Sequence, residues 1–543
     1  MDCTMRTSNR LAAIAAAAIA CLLAGAVALA QTPPQSGIPP FRYSDHLANV
    51  SVYSANDNVT VTIPIFTKQA RGVGLSVAMV YNSSMYWNPT GTAFTTDSDT
   101  EEYGGWVVQP DFGTVDYDQH DVSAKDGSGY CLYGYDNNFR YYSPDGTMHP
   151  LPGAYLASDG TTTYPLPPGT CHQGTLTTTA TASDGSGWEL SATASGGASA
   201  GVVFTKELMT ARNGDRINLL AQGASEPAFE DTNGNYLSSA ASSSETDWYD
   251  TTSINPVAKI INQSNCTNPV NGQQYPSCVE YEVPNADGGY ATWKMYLANI
   301  SVNSGSCSGV SAYSGTMSVP MYLTMPEYTS GSHWYYAFAY GGAGRLTTLD
   351  YPTGGVTTFT YSDPCTFPDG SVATVTVSTN DGQGHTGTTT YTRNNGGQTT
   401  ISRPDGSKTI VNYDSSGLPT EVQNFDTDGS TLLSEDTYTN TGGTPDFPST
   451  ETEYLNGTEV TGVQTSFDSS GDLTSKTVTD ELSGASRTTT ISYFAPGKPS
   501  SITVSAGGTT YSQTNITSAA ARPASICRIA AIFSSSVNSR FFI

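Results

Sequence analysis

Tyr340-Gly341-Gly342-Ala343-Gly344-Arg345-Leu346-Thr347, then Tyr351-Pro352-Thr353-Gly354-Gly355, closing at Tyr361, is the stretch whose reading sets the fold. Related units follow. Pro404-Asp405-Gly406 leads to Tyr413-Asp414-Ser415-Ser416-Gly417-Leu418, and Phe467-Asp468-Ser469-Ser470-Gly471-Asp472-Leu473-Thr474 repeats the pattern. Tyr493-Phe494-Ala495-Pro496-Gly497-Lys498 is a degenerate copy. The aromatic landmarks Tyr340, Tyr361, Tyr391 and Tyr413 stand 21, 30 and 22 residues apart. Each unit reads as one or two hairpins: an aromatic-Asp strand end, a Gly turn and a Leu-Thr strand start. A lone hairpin is marginal in water, so such units must pair edge to edge in a continuing sheet.

The rest of the chain agrees. Val59, Val61, Ile63 and Ile65 alternate with Thr60, Thr62 and Pro64, the period of a half-buried strand. Leu75, Val77 and Met79 repeat it, as do Val375 and Val377. Beyond residue 30 no segment of helical length carries an apolar stripe. Fourteen Asn-Gly or Asp-Gly dipeptides, from Asp126-Gly127 to Asn456-Gly457, each suit a two-residue hairpin turn. The expected fold is all-β: a hairpin-rich region over 41–330, then an antiparallel repeat sheet over 331–515.

The aromatic-Asp-x-x-Gly-x-Leu pattern with Pro-x-Gly turns resembles the tyrosine-aspartate (YD) repeats of bacterial RHS proteins. Arg71-Gly72-Val73-Gly74-Leu75 leading to Tyr81-Asn82-Ser83 is similar to the region that precedes those repeats. Tyr142-Ser143-Pro144-Asp145-Gly146-Thr147 and Asp231-Thr232-Asn233-Gly234-Asn235 resemble its other turns. The resemblance implies a β-sheet coiling into a partial shell or solenoid, often enclosing or displaying a C-terminal effector. Two features depart from it: only about four repeats are visible, and the Asp-Pro-x-Gly core is absent.

Composition narrows the function. Charged residues make up 13% of the chain, about half the roughly 25% usual for soluble domains. A net charge of −26 argues against nucleic acid and against an anionic membrane surface. Residues 1–30 read as a cleavable secretory signal, with Arg6 and Arg10 before an apolar run that ends at Ala28-Leu29-Ala30. A Pro-rich linker follows at 31–40, and no second segment is apolar enough to span a bilayer as a helix. Residues 516–543 form an atypical tail with Arg522, Arg528 and Arg540 but no acid, which reads as frameshifted or disordered. A genuine apolar C-terminal strand is the alternative.

Seven cysteines follow the signal: Cys131, Cys171, Cys266, Cys278, Cys307, Cys365 and Cys527. No C-x-x-C pair exists, so zinc-ribbon and thioredoxin chemistry is excluded. The first six can form three disulfides in 15 ways, Cys266 and Cys278 being the nearest local pair. The histidines, His46, His120, His149, His172, His333 and His385, are scattered without zincin spacing. Gly305-Ser306-Cys307-Ser308-Gly309 superficially resembles a nucleophile elbow but lies in Ser-rich β sequence. Asp97-Ser98-Asp99-Thr100-Glu101 and Asp426-Thr427-Asp428-Gly429 offer oxygens to Ca²⁺ without the complete loop, and Asx turns are the plainer reading.

No residue earns a catalytic, cofactor-binding or metal-binding role. Trp87, Trp106, Trp188, Trp248, Trp293 and Trp334 serve either as sheet-core anchors or, where exposed, as sugar-stacking faces. The expectation is a secreted or cell-surface, non-enzymatic scaffold, shell or adhesive surface. Its expected partner is an extracellular polysaccharide or a cell-surface molecule, carbohydrate binding entering by family analogy. The alternatives are a secreted β-rich polysaccharide-active enzyme working through paired carboxylates, or a truncated remnant of a larger RHS protein.

Overall fold

The structure is a computed structural model that describes residues 43–516 apart from short stretches, the longest being 158–173 and 363–372. The signal, the Pro-rich linker, residues 517–543, Cys171, Cys307, Cys365, Cys527, His172, Asp97–Glu101, Ser143–Thr147 and Ser306–Gly309 lie outside the described residues. So do the side chains of Trp87, His120 and Cys131.

Every helical or strand element among the described residues is a strand, as the alternation predicts. A 26-stranded antiparallel sheet runs from Gly174–Thr181 to Thr509–Asn515, each strand bonded to its neighbours in sequence. This long sheet crosses residue 330 without interruption, Ser314–Thr324 pairing with Tyr335–Tyr340. A five-stranded N-terminal sheet orders Ser44–Leu47, Val50–Tyr53, Asn58–Lys68, Leu75–Asn82 and Trp106–Val108. A four-stranded sheet is built around Gly129–Tyr142.

Both smaller sheets cover one face of the long sheet. Val59, Val61, Ile63, Leu75, Val77, Met79 and Tyr81 are buried and share one core with Leu237, Tyr281, Met295, Leu297, Leu323, Phe338, Leu349, Phe359, Val377 and Ile401 of the long sheet. Each such aliphatic side chain contributes roughly 1.5–3 kcal/mol. The four-stranded sheet sets Phe139, Tyr141 and Leu156 against Leu190, Ala192, Met209 and Ile217. The cross-strand row Leu190–Met209–Ile217–Phe229–Leu237 joins the two cores, which places them on the same face. In Asn58–Lys68 the alternation breaks at a bulge between Pro64 and Phe66, because proline has no N–H for the ladder.

The turns differ from the two-residue expectation. At Asn456-Gly457 both φ angles are positive, 49° and 75°, and Leu455 pairs with Thr458 as a two-residue turn demands. At Asp405-Gly406 only the glycine is left-handed. Arg403 N donates to Ser407 O at 3.0 Å and Gly406 N to Arg403 O at 3.1 Å, enclosing three residues. The same paired bonds join Ala211 with Asp215, Asp231 with Asn235, Gly341 with Arg345, Asp414 with Leu418 and Asp468 with Asp472. This is a type I turn followed by a left-handed glycine, so the Asp or Asn before that glycine needs no positive φ.

The repeat pattern acquires a mechanism from this turn. In Phe467-Asp468, Asp468 Oδ1 accepts from Ser470 N at 2.9 Å and Asp472 N at 3.0 Å, clamping the loop. Asp231 does the same with Asn233 N and Asn235 N, both at 2.8 Å. The leucine after the turn is buried at Leu346 and Leu418, opening the next strand into the core.

The long sheet curls back on itself without closing its ladder. Gly185 N donates to Ser470 O at 3.2 Å, and Arg212 Nε to Gly497 O at 2.8 Å. Asp472, 2% exposed, accepts from Gly497 N at 2.6 Å and pairs with Arg212 Nη2 at 3.4 Å. Hairpin ends of the first strands thus rest on hairpin ends of the last. A Cβ on Gly471 would meet Gly185 N at 2.6 Å and Ser183 O at 2.8 Å, so this seam requires glycine.

Candidate functional site: an aromatic platform on the outer face

Strand alternation sends Met295 and Leu297 into the core and therefore turns Tyr296 to the opposite, outer face. Tyr296 stands directly across from Cys278 on one side and Tyr322 on the other. Tyr322 alternates with core Leu323, and Tyr335 with Tyr336, whose ring packs on the core. The result is a patch of rings: Tyr275 lies 5.8 Å from Tyr296 and 6.2 Å from Tyr322. Tyr322 lies 6.0 Å from Tyr335, which stacks on His333 at 5.9 Å and meets Tyr328 at 6.2 Å. Trp334, beside them in sequence, is 48% exposed.

The Cys266–Cys278 disulfide sits under this patch, packed with Tyr275 and Tyr296, and ties Ala258–Thr267 to Gln274–Pro284. The nearest local pair in the sequence is therefore bonded. Polar groups edge the rings. Lys294 Nζ donates to Glu280 Oε1 at 2.7 Å and Gln263 Oε1 at 3.0 Å, while Gln263 Nε2 donates to Glu280 Oε2 at 2.8 Å. Asn271 Nδ2 donates to Tyr275 Oη at 3.0 Å. Burial pushes the Tyr296 phenol up to about 12, so it remains a neutral hydrogen-bonding group. Tyr296 and Tyr275 are themselves buried, 3% and 6% exposed, so the part-exposed Tyr322, Tyr328 and Tyr335 and exposed His333 are the rings whose faces can stack on the C–H face of a sugar.

The other residues singled out in the sequence are dispersed. Trp106 and Trp248 are buried in the shared core, and Trp293 packs on Phe66 at 5.6 Å. His46 bonds Ser51 Oγ at 2.6 Å and His385 bonds Asp381 at 2.7 Å within its own turn. His149 bonds Asp184 Oδ2 at 2.6 Å. Burial raises the Asp184 carboxyl, but the bonds from His149 and Ser186 outweigh it and leave the net shift downward. Asp428 caps its own turn, accepting from Ser430 N at 2.8 Å and Thr431 N at 2.7 Å. The Thr431 hydroxyl and these amides hold it at about 2, as an Asx turn requires. Among the described residues no cluster of three or more His, Cys, Asp or Glu could hold a metal ion. Nor is any helix among them long and apolar enough to cross a membrane. Arg345, 6% exposed, reaches Ser83 O at 3.4 Å and lies 5.5 Å over the Tyr361 ring, a packing position.

Among the described residues one carboxylate does face another across strands. Asp436 is in register with Glu453, and neighbouring Tyr438 with Glu451, in line with Val411 and Val422 on the covered face. Burial, with Glu453 and Glu435 close by, pushes Asp436 up to about 6.

Sequence reading missed the tyrosine platform because its members come from four strands over 60 residues, Tyr275 to Tyr335. The available signal was an aromatic at the non-core phase of strands whose other phase is apolar, as at Met295-Tyr296-Leu297 and Tyr322-Leu323.

No family model matches the chain, and no curated protein matches it. Among solved structures, a chain of TcdB2-TccC3-Cdc42 aligns with 84% of this chain at 10% identity and a TM-score of 0.28. A chain of TcdB2-TccC3 aligns with 86% at 9% identity and a TM-score of 0.27. This chain spans 27% and 31% of their lengths. Scores this low carry no argument; the all-β fold rests on the sheets themselves.

Proposed function

We propose that this chain is an exported, non-enzymatic scaffold of the RHS type that holds an extracellular polysaccharide on its outer aromatic platform. The observation that carries the reading is the run of part-exposed rings Tyr322, Tyr335 and Tyr328 with exposed His333, seated on the buried Tyr275–Tyr296 pair on the face opposite the shared core. Rings fixed by strand register and a disulfide lose little freedom on binding, which favours affinity from a modest contact. The net charge of −26 repels polyanions, so the expected ligand is a neutral or cationic glycan. The family assignment itself rests on the Tyr-Asp-x-x-Gly-x-Leu units and on the turn they build.

The test is retention of the full chain on a panel of insoluble neutral, cationic and acidic polysaccharides, with release of reducing ends followed in parallel. Saturable retention without turnover, weakened at least tenfold by Tyr322→Ala, is expected. Absence of retention on every neutral and cationic glycan sinks the reading.

A second reading has one observation behind it. Asp436, raised to about 6 opposite Glu453, has the protonation behaviour of a glycosidase acid beside a carboxylate. Reducing ends released by the wild type and lost in both Asp436→Asn and Glu453→Gln would establish that enzyme instead.

A further inference from the structure

The N-terminal sheet meets the long sheet through polar pegs as well as apolar packing, and one corner of it is anomalous. Ser54 O accepts from Thr399 Oγ1 at 2.5 Å, Ser54 Oγ bonds the Tyr413 hydroxyl, and Tyr53 Oη donates to Gly417 O at 3.2 Å. Three residues on, Asp57 is 1% exposed, and neither of its carboxyl oxygens has a hydrogen-bond partner. Its φ of 55° places a non-glycine residue in the left-handed region, tolerated because Asp and Asn enter it most readily. A buried polar group without partners costs the protein stability, and a buried unpartnered charge costs far more.

The surroundings match a group that changes charge. A cavity of about 110 Å³ at this corner is lined by Arg393, Gln398, Thr399, Tyr413 and Asp414, and has room for about three waters. The ionisable groups whose fields reach Asp57 are Arg393 on Thr386–Asn394 and Tyr413 on Lys408–Tyr413; Tyr53 and Tyr43 of the N-terminal region lie around Tyr413, and Asp414 lines the cavity. Arg393 is the cation whose field favours the ionised form.

We propose that Asp57 is a proton-controlled latch: neutral, it lets the N-terminal sheet seat on the long sheet; ionised, it lifts the Ser54–Asn58 corner off the repeats. Burial pushes its carboxyl up to about 8, a rise that Arg393 only partly offsets. The seated state therefore holds a proton that the lifted, water-exposed corner releases. Seating is complete at acidic pH and weakens about tenfold for each pH unit between the ordinary carboxylate range and about 8.

Amide hydrogen exchange of the full chain, followed from pH 5 to 9 and normalised for intrinsic rates, tests the latch. Val50–Tyr53 and Asn58–Lys68 should open about tenfold more often per pH unit up to about 8, while Gln274–Pro284 on the outer platform does not change. Asp57→Asn, which keeps the shape and accepts the same φ, should abolish the trend. Arg393→Gln should carry it to higher pH. A flat wild-type profile, a trend shared by Gln274–Pro284, or a trend surviving in Asp57→Asn overturns the proposal.

Discussion

The hydroxyl of Tyr391 donates to Asp45 Oδ2 at 2.8 Å, across 346 residues of chain. Arg403 Nη2 holds the other oxygen of that carboxylate at 3.0 Å. Tyr391 is not alone. Tyr340 Oη accepts from Trp106 Nε1 at 3.0 Å, Tyr351 Oη donates to Asn49 Oδ1 at 2.9 Å, and Tyr413 bonds Ser54. Tyr340, Tyr351, Tyr391 and Tyr413 point to the covered face, where each hydroxyl meets a polar group of the N-terminal region. A tyrosine serves here better than phenylalanine because the docked sheet brings carboxyl, amide and hydroxyl groups that need partners.

Tyr391→Phe should therefore lower stability by about 2 kcal/mol, since it removes a hydrogen bond to a charged, largely buried carboxylate while leaving the ring. The urea midpoint checks this. An unchanged midpoint would mean that Arg403 alone satisfies Asp45.

The seam gives a second expectation. Gly471→Ala places a Cβ against Gly185 N and Ser183 O, at a φ of 77° that alanine resists. Hydrogen exchange at 183–187 and 468–472 should rise at least tenfold, with Tyr335–Tyr340 unaffected. Arg212→Gln should act in the same direction but less, because the Gly185–Ser470 bond survives it.

The acidic row on the covered face predicts a pH trend of known sign. Asp436 binds its proton more tightly folded, at about 6, than unfolded, near 3.8. Its contribution is complete at pH below about 4 and declines as pH rises to about 6. Asp436→Asn should thus stabilise the chain at pH 7.5 by about 1–2 kcal/mol, allowing for its partial solvent exposure, and have little effect at pH 4. Urea unfolding at the two pH values decides it.

Removing the Cys266–Cys278 bond, by Cys266→Ser with Cys278→Ser, frees a loop with a sequence separation of 12. A loss of about 2–3 kcal/mol is expected from loop closure. Exchange should rise in Ala258–Thr267 and Gln274–Pro284, under the platform, rather than at the N-terminal sheet.

Much of the fold is legible because its signals are local. Val59, Val61 and Ile63 mark a strand by period alone, and glycine marks its turns. The three-residue loop at Arg403–Ser407 is not readable from Asp405-Gly406, because the dipeptide fits two turn types and register in the sheet selects between them. The aromatic spacing reveals a repeat, yet not that Tyr391 would find Asp45, since that contact depends on where a separate sheet docks. Asp57 is equally silent: it stands in an ordinary polar run of sequence, Asn56-Asp57-Asn58, and its burial to 1% exposure depends on how the sheets dock.

The most direct measurement compares Tyr322→Ala with Tyr391→Phe for retention on the neutral polysaccharide that best holds the wild type. Tyr322 faces outward on the platform, while Tyr391 is buried at the junction. The predicted result is at least tenfold weaker retention for Tyr322→Ala at unchanged hydrogen exchange of the core, and wild-type retention for Tyr391→Phe. Wild-type retention by Tyr322→Ala, with the core intact, would contradict the platform as the glycan-binding surface.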